Sequence, residues 1–298
     1  MKQRENMEIK KLESNSSFIF FNWPLCDKCN YNCSYCSTEN DNTWEHQKYK
    51  FVISKLKMIK KTFRVCLTGG ETTEHSEIKN IINELSNIEY LDKVFLFTNL
   101  SKNLDFYNQI EIKDNIVITA SYHPEYHNKS FFYKCLELNK LRYNNFRVNI
   151  SISDDEKYYQ KTKELFDFLI KNNIQYNINF LMNTPKKIIN YSDNIYLQFE
   201  KYFCNTKMYD ELTATFSDNS QKILSNHEFR KLNINNFKNY LCCCQTYQIN
   251  KEAEFIKTCT NEKMPLFLKP EYFEEFIKCP LERCEGDGKI TYTKIKEN

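Results

Sequence analysis

The chain has 298 residues with 42 basic and 39 acidic side chains, a formal net charge of +3. Such a balance singles out neither nucleic acid nor a membrane surface as partner, and no apolar run approaches the roughly 18 residues of a spanning helix. The charged N-terminus lacks the apolar core of a signal peptide, so a cytoplasmic location is expected, where thirteen cysteines are ligands, catalysts or buried thiols rather than disulfides.

Residues 1–17 read as a polar, mobile leader. The apolar run Phe18-Ile19-Phe20-Phe21 predicts a short buried strand opening into a cysteine-rich loop. Phe51, Val52, Leu56 and Ile59 stand at helical spacing within 44–61, and Arg64-Val65-Cys66-Leu67 is a strand running into Thr68-Gly69-Gly70-Glu71. A helix over 75–87, a strand over 93–97, a helix near 103–111 and a strand over 116–120 come next. A helix at about 130–142, a strand over 146–151, a helix at about 155–172 and a strand over 174–181 complete the series. Six strand–helix alternations imply parallel βαβ units. An open doubly wound sheet and a partial barrel both satisfy them. In either, functional groups gather at the carboxyl ends of the strands, where Cys29 to Cys36, Gly69 to Glu71, Thr98-Asn99, Ser121 to His123 and Ser151 fall. Residues 184–240 lose the period and read as a bridging segment with one or two helices, too aromatic to be disordered.

Glycine is scarce: the chain has four, Gly69, Gly70, Gly286 and Gly288. Each is expected where the backbone needs positive φ or a close approach. His123-Pro124-Glu125-Tyr126-His127 holds two of the five histidines. His123, just past a strand end, is a candidate for touching substrate, against the plainer reading of a solvated loop histidine.

Cys29, Cys33 and Cys36 stand at C-x3-C-x2-C spacing on the loop after the first strand. Three thiolates so placed can hold three irons of a 4Fe–4S cluster and leave the fourth open. With Tyr35 before the last cysteine, the stretch resembles the radical S-adenosylmethionine (radical SAM) signature. Thr68-Gly69-Gly70-Glu71 is similar to that family's Gly-Gly-Glu motif, with Thr72 where many relatives carry proline. The resemblance implies a partial (β/α)6 TIM-type barrel over 18–183, with S-adenosylmethionine chelated at the open iron and cleaved by one electron to a 5′-deoxyadenosyl radical. It also implies an electron donor such as a flavodoxin or ferredoxin. Cofactor contacts are implied for Tyr35, Gly69, Gly70 and Glu71, and more softly for Asn99, Ser121 and Ser151, with capping of the next helix as the alternative for each of these three. The bland alternative is a tetrahedral zinc site of Cys26, Cys29, Cys33 and Cys36. Only three residues separate its two C-x2-C pairs, against a dozen or more in zinc knuckles, which leaves Cys26 a bystander thiol.

A second cysteine group occupies 241–298. Cys242-Cys243-Cys244 precedes a hairpin-like stretch, 247–249 to 254–256, that delivers Cys259, followed by Cys279 and Cys284. This small cysteine-rich appendage resembles the SPASM/twitch region of radical SAM enzymes. The resemblance implies an auxiliary 4Fe–4S cluster on Cys244, Cys259, Cys279 and Cys284, with Cys243 or Cys242 as substitutes for Cys244. Structural zinc suits four thiolates equally well. The implied reaction is an oxidative modification or cross-link of a peptide or protein. The alternative is a dehydrogenase or epimerase acting on a carbohydrate, nucleoside or other small molecule. A zinc-stabilised nucleic-acid-binding protein is the distant rival, disfavoured because the lysines are dispersed among acids.

Overall fold

The computed structural model describes residues 8–14, 18–36, 44–126, 129–181, 187, 195–203, 212–224, 237–264, 273, 276–280 and 293–296. In chain order the first half holds β1 (Ile9–Ser14), β2 (Ile19–Cys26), α1 (Tyr49–Leu56), β3 (Phe63–Gly69), α2 (Ile78–Ser86), β4 (Leu91–Thr98), α3 (Leu104–Asn108), β5 (Ile116–Tyr122) and α4 (Lys129–Leu141). The second holds β6 (Phe146–Ile152), α5 (Tyr159–Lys171), β7 (Tyr176–Phe180), α6 (Ile195–Phe203), β8 (Leu212–Phe216), β9 (Gln221–Leu224), β10 (Leu241–Cys242), β11 (Thr246–Ile249), β12 (Phe255–Lys257), β13 (Ile277–Lys278) and β14 (Lys294–Ile295). Single 3-10 turns cover Thr72–Glu74 and Glu156–Tyr158. Contacts divide the chain into two units, one of residues 1–22, 54–64 and 208–298, the other of 23–53 and 65–207.

The second unit is mixed α/β. Its strands follow one another in chain order from β3 to β7, with parallel registers such as Leu96↔Ile118, Ala120↔Val148 and Ile150↔Ile178. A strand covered on both faces should be apolar throughout, and β5 is buried at Ile116, Val117, Ile118, Thr119 and Ala120. The helices meet the sheet by one stripe. Ile78, Ile81, Ile82 and Leu85 of α2 are buried at helical spacing, each contributing about 1.5–3 kcal/mol. Helix α1 is shorter than its apolar spacing predicts. Residues before it are drawn into extended pairing with the end of β2: His46 N–H donates to the Leu25 carbonyl at 2.7 Å, and Asp27 N–H to the Trp44 carbonyl at 3.1 Å. Among the described residues, no helix is long and apolar enough to cross a membrane.

The first unit corrects two boundary expectations. Residues 9–14 are not a mobile leader; they form β1, antiparallel to β8 on one side and β14 on the other. The register shifts between Ile9 and Lys11, a bulge that turns Ile9 and Leu12 to the same core despite their odd spacing. That irregularity hides the strand from a period-2 reading. The supposed bridge also contributes structure here, because β8 and β9 form an antiparallel hairpin, Leu212↔Leu224 to Thr215↔Gln221. The expected cysteine hairpin is present, with β11 antiparallel to β12 and parallel to the first half of β2 at Phe20, Phe21 and Asn22. Phe21 anchors it, packing edge-on to Phe63 and Phe255 at 5.8 and 5.5 Å and tilted on Tyr247 at 5.6 Å.

Candidate functional site

The cysteine loop leaves β2 and is gripped at its entry by the turn after β3. Gly70 N–H donates to the Cys26 carbonyl and Glu71 N–H to the Lys28 carbonyl, both at 2.7 Å. Both glycines are required by this contact. Gly69 has φ +128°, and a Cβ there would lie 2.4 Å from the Cys26 carbonyl oxygen. A Cβ on Gly70 would lie 2.2 Å from the Lys28 carbonyl oxygen, a backbone clash with no side chain to swing aside. The close approach expected of these glycines is thus made, in the first place, to the cysteine loop itself.

Glu71 is buried, and its carboxylate is turned inward. One oxygen accepts from Thr73 N–H at 3.1 Å and from the Thr73 and Thr98 hydroxyls at 2.6 Å each; the other accepts from Asn99 N–H at 2.6 Å. Burial pushes the carboxyl above the usual range, although these hydrogen bonds pull it back. Asn99 carries the network on: its side-chain N–H donates to the Asn30 side-chain oxygen in the cysteine loop at 2.8 Å, and its own oxygen accepts from Ser101 N–H at 2.9 Å.

Within the loop, Cys33 and Tyr35 are buried together, with Tyr31, Cys36 and Leu181 packed against them. Cys36 N–H donates to the Cys33 carbonyl at 3.1 Å. Burial pushes the Cys33 thiol up to about 12 and raises Cys29 as well, so metal binding here would release protons. Cys26 is engaged by the turn after β3. Its thiol donates to the Glu71 carbonyl at 3.4 Å, and burial with the nearby Glu71 charge pushes it up to about 12. The four-thiolate zinc arrangement is not assembled, and among the described residues no three His, Cys, Asp or Glu side chains converge on one ion. A cluster spans more space than an ion, and three thiols on one loop in an apolar shell are a donor set that fits it.

The segment after β5 covers the far side of the loop. His123 Nδ1 stands 3.2 Å from the Tyr35 hydroxyl and 3.6 Å from Cys33 Sγ. Desolvation pushes this imidazole down to about 4, so it is neutral near pH 7. Glu125 accepts from Ser34 N–H at 2.9 Å and from the Ser34 hydroxyl, while Asn32 N–H donates to the Tyr126 hydroxyl at 2.9 Å. The sequence offers His123-Pro124-Glu125-Tyr126-His127 as a loop at a strand end, with His, Glu and His content that would suit a metal or a contact to substrate; that Glu125 and Tyr126 instead engage Ser34 and Asn32 is legible only in the fold. His127 lies outside the described residues.

Ser121 and Ser151 are half-buried and sit opposite Asn149 and Asn179 in the register. Because paired residues share a face and Asn149 and Ser151 alternate in step, all four face the same way, with Asn179 donating to Asn149 at 2.8 Å. The helix-capping alternative fails for Asn99 and Ser151: Asn103 caps α3, and Asp155 caps the turn before α5.

In the other unit the three adjacent cysteines face different partners. Cys242 and Cys244 enter one buried cluster with Cys259 and Cys279, and the Cys244 and Cys259 sulfurs are 3.0 Å apart. Cys243 points elsewhere, its sulfur accepting from the Gln245 side chain at 3.2 Å. Cys284, Gly286 and Gly288 lie outside the described residues.

No family model matches the chain. It is 26% identical over 106 residues to a GTP 3',8-cyclase of Actinobacillus pleuropneumoniae serotype 5b (strain L20), an alignment covering 33% of this chain and 31% of that relative. The chain thus spans about a third of the length of the curated relatives it matches. Among solved structures, SuiB of Streptococcus suis superposes with a TM-score of 0.59 at 14% identity, covering 87% of this chain and 66% of that one. Native anSMEcpe with bound AdoMet and Cp18Cys peptide superposes with a TM-score of 0.53 at 13% identity, covering 82% and 74%. At these identities the likeness is one of fold: the chain shares with SuiB and anSMEcpe a mixed α/β architecture with a parallel-strand sheet.

Proposed function

We propose that this chain is a radical SAM enzyme whose strands belong to a partial (β/α)6 barrel. The observation that carries the reading is the junction of the Cys29-x3-Cys33-x2-Cys36 loop with Gly69-Gly70-Glu71, locked through two 2.7 Å backbone hydrogen bonds. In this reading Cys29, Cys33 and Cys36 hold a 4Fe–4S cluster that, with S-adenosylmethionine bound, supplies a 5′-deoxyadenosyl radical for hydrogen abstraction. The chain's own part is position and shielding. Gly69 and Gly70 hold the loop against β3, and Glu71 fixes the end of β4, presenting Asn99. Tyr35 and Leu181 keep water from the Cys33 side, while Ser121 and Ser151 offer hydroxyls to the cofactor's ribose or carboxylate.

An auxiliary 4Fe–4S cluster in the smaller unit completes the proposal, on Cys244, Cys259, Cys279 and Cys284, with Cys242 rather than Cys243 as the substitute its orientation supports. We assign an oxidative modification or cross-link of a peptide or protein, supported by the fold shared with anSMEcpe, whose structure holds a peptide. The chain would draw electrons from a flavodoxin or ferredoxin in the cytoplasm. A second reading, a nucleoside or other small-molecule substrate, is favoured by the match to a GTP 3',8-cyclase. Anaerobically reconstituted protein given dithionite and S-adenosylmethionine should form 5′-deoxyadenosine, and a Cys33→Ala variant should form none. Equal yields from the two would overturn the assignment. Candidate peptides and nucleotides added in turn then separate the two substrate classes by which one accelerates cleavage.

A further inference from the structure

We infer that the turn His123–Tyr126, at the end of β5, is a preformed clasp that holds the cysteine loop in its ligating shape before any metal arrives. Five consecutive loop residues engage this one turn. Tyr31 stacks on Tyr126 with ring centroids 4.3 Å apart and planes 7° from parallel. The Asn32 amide donates to the Tyr126 hydroxyl at 2.9 Å. Cys33 Sγ lies 3.6 Å from His123 Nδ1, Ser34 gives both its amide and its hydroxyl to Glu125, and Tyr35 meets His123 through its hydroxyl at 3.2 Å.

The clasp is built to be stiff. Tyr126 N–H donates back to the His123 carbonyl at 3.0 Å, closing a β-turn with Pro124 in its second position, where the ring sets the φ the turn needs. Lys161 of α5 holds the Pro124 carbonyl at 3.5 Å, and β5 fixes the preceding residue. A rigid turn presenting a carboxylate, a phenol and an imidazole therefore faces a loop whose backbone amides need acceptors. Ordering such a loop costs conformational entropy, and meeting that cost in the folded protein spares it at metal binding. His123, Glu125 and Tyr126 are in this sense positioning residues. The clasp stands on geometry alone; its purpose, presenting Cys33 and its neighbours to a cluster, rests on the function proposed above.

Hydrogen–deuterium exchange of the metal-free full chain tests the clasp. Tyr126→Phe keeps the ring stack and removes one acceptor oxygen; Glu125→Ala removes both bonds to Ser34. Exchange across residues 30–36 should accelerate about fivefold in the first variant and about tenfold or more in the second, while β4 and β6 keep wild-type protection. Both variants should also take up iron and sulfide more slowly than wild type under identical reconstitution. Unchanged loop exchange in both variants would overturn the clasp, as would acceleration spread evenly over the whole unit. Because the exchange is read without metal, the clasp can fail while wild type still binds iron. A wild type that binds no iron would count against the proposed function and leave the exchange result intact.

Discussion

Asn99 is tied to Glu71 through a 2.6 Å hydrogen bond from its backbone amide to the buried carboxylate. That bond makes Glu71 a strut between the turn after β3 and the end of β4. The Gly-Gly-Glu resemblance implies a cofactor contact for Glu71; in the fold its oxygens accept from Thr73, Thr98 and Asn99.

Replacing this strut by an amide should therefore damage the fold as well as cofactor binding. Glu71→Gln leaves one acceptor oxygen and turns an N–H₂ toward groups that donate, so thermal unfolding should report a loss on the order of 1–3 kcal/mol. Because burial raises the Glu71 carboxyl in the folded protein, the group stabilises fully below its unfolded value near 4.3. That contribution is lost as pH rises through the folded value. The stability gap between wild type and Glu71→Gln should narrow as pH climbs through that window. A gap independent of pH would contradict a raised carboxyl.

Gly70→Ala should be more severe at the site than in the fold at large. The added Cβ has to displace the Lys28 carbonyl, which it would otherwise approach to 2.2 Å, and that carbonyl belongs to the residue beside Cys29. A cost of about 2–4 kcal/mol is expected, together with iron retention well below that of wild type. Iron content measured after gel filtration checks it.

The first-loop cysteines should separate sharply. Cys26 is a buried neutral thiol bonded to the Glu71 carbonyl, so Cys26→Ala should keep its iron and lose about 1 kcal/mol of stability. Cys33→Ala should lose the iron of that site altogether, which iron analysis and the visible absorption of the reconstituted proteins will report.

A parallel contrast applies in the smaller unit. Cys244→Ser should abolish whatever metal that unit binds, because Cys244 faces Cys259 across 3.0 Å. Cys243→Ser should leave it in place, since Cys243 faces Gln245. Metal analysis in a Cys29/Cys33/Cys36 triple Ala background reads this site alone.

Much of the larger unit was legible because its elements obey simple periods. Strand β5 is close to a continuous apolar run, β6 and β7 alternate apolar with polar residues, and α2 repeats Ile78, Ile81, Ile82 and Leu85 on one stripe. The punctuating residues at strand ends marked the site for the same reason. What escaped depends on tertiary partners. Strand β1 is irregular at its bulge, and β8 and β9 are short strands in a polar, aromatic stretch. The inward turn of Glu71 follows from Thr98 and Asn99, which approach it only in the folded sheet. Likewise, nothing local in His123-Pro124-Glu125-Tyr126 announces that Ser34 and Asn32, about ninety residues earlier, supply its partners.

The most direct test is the iron and sulfide content of anaerobically reconstituted wild type beside the Cys29/Cys33/Cys36 triple Ala variant. Two 4Fe–4S sites predict about eight irons per chain falling to about four. Iron content unchanged by the triple substitution, or no iron in either protein, would contradict the account.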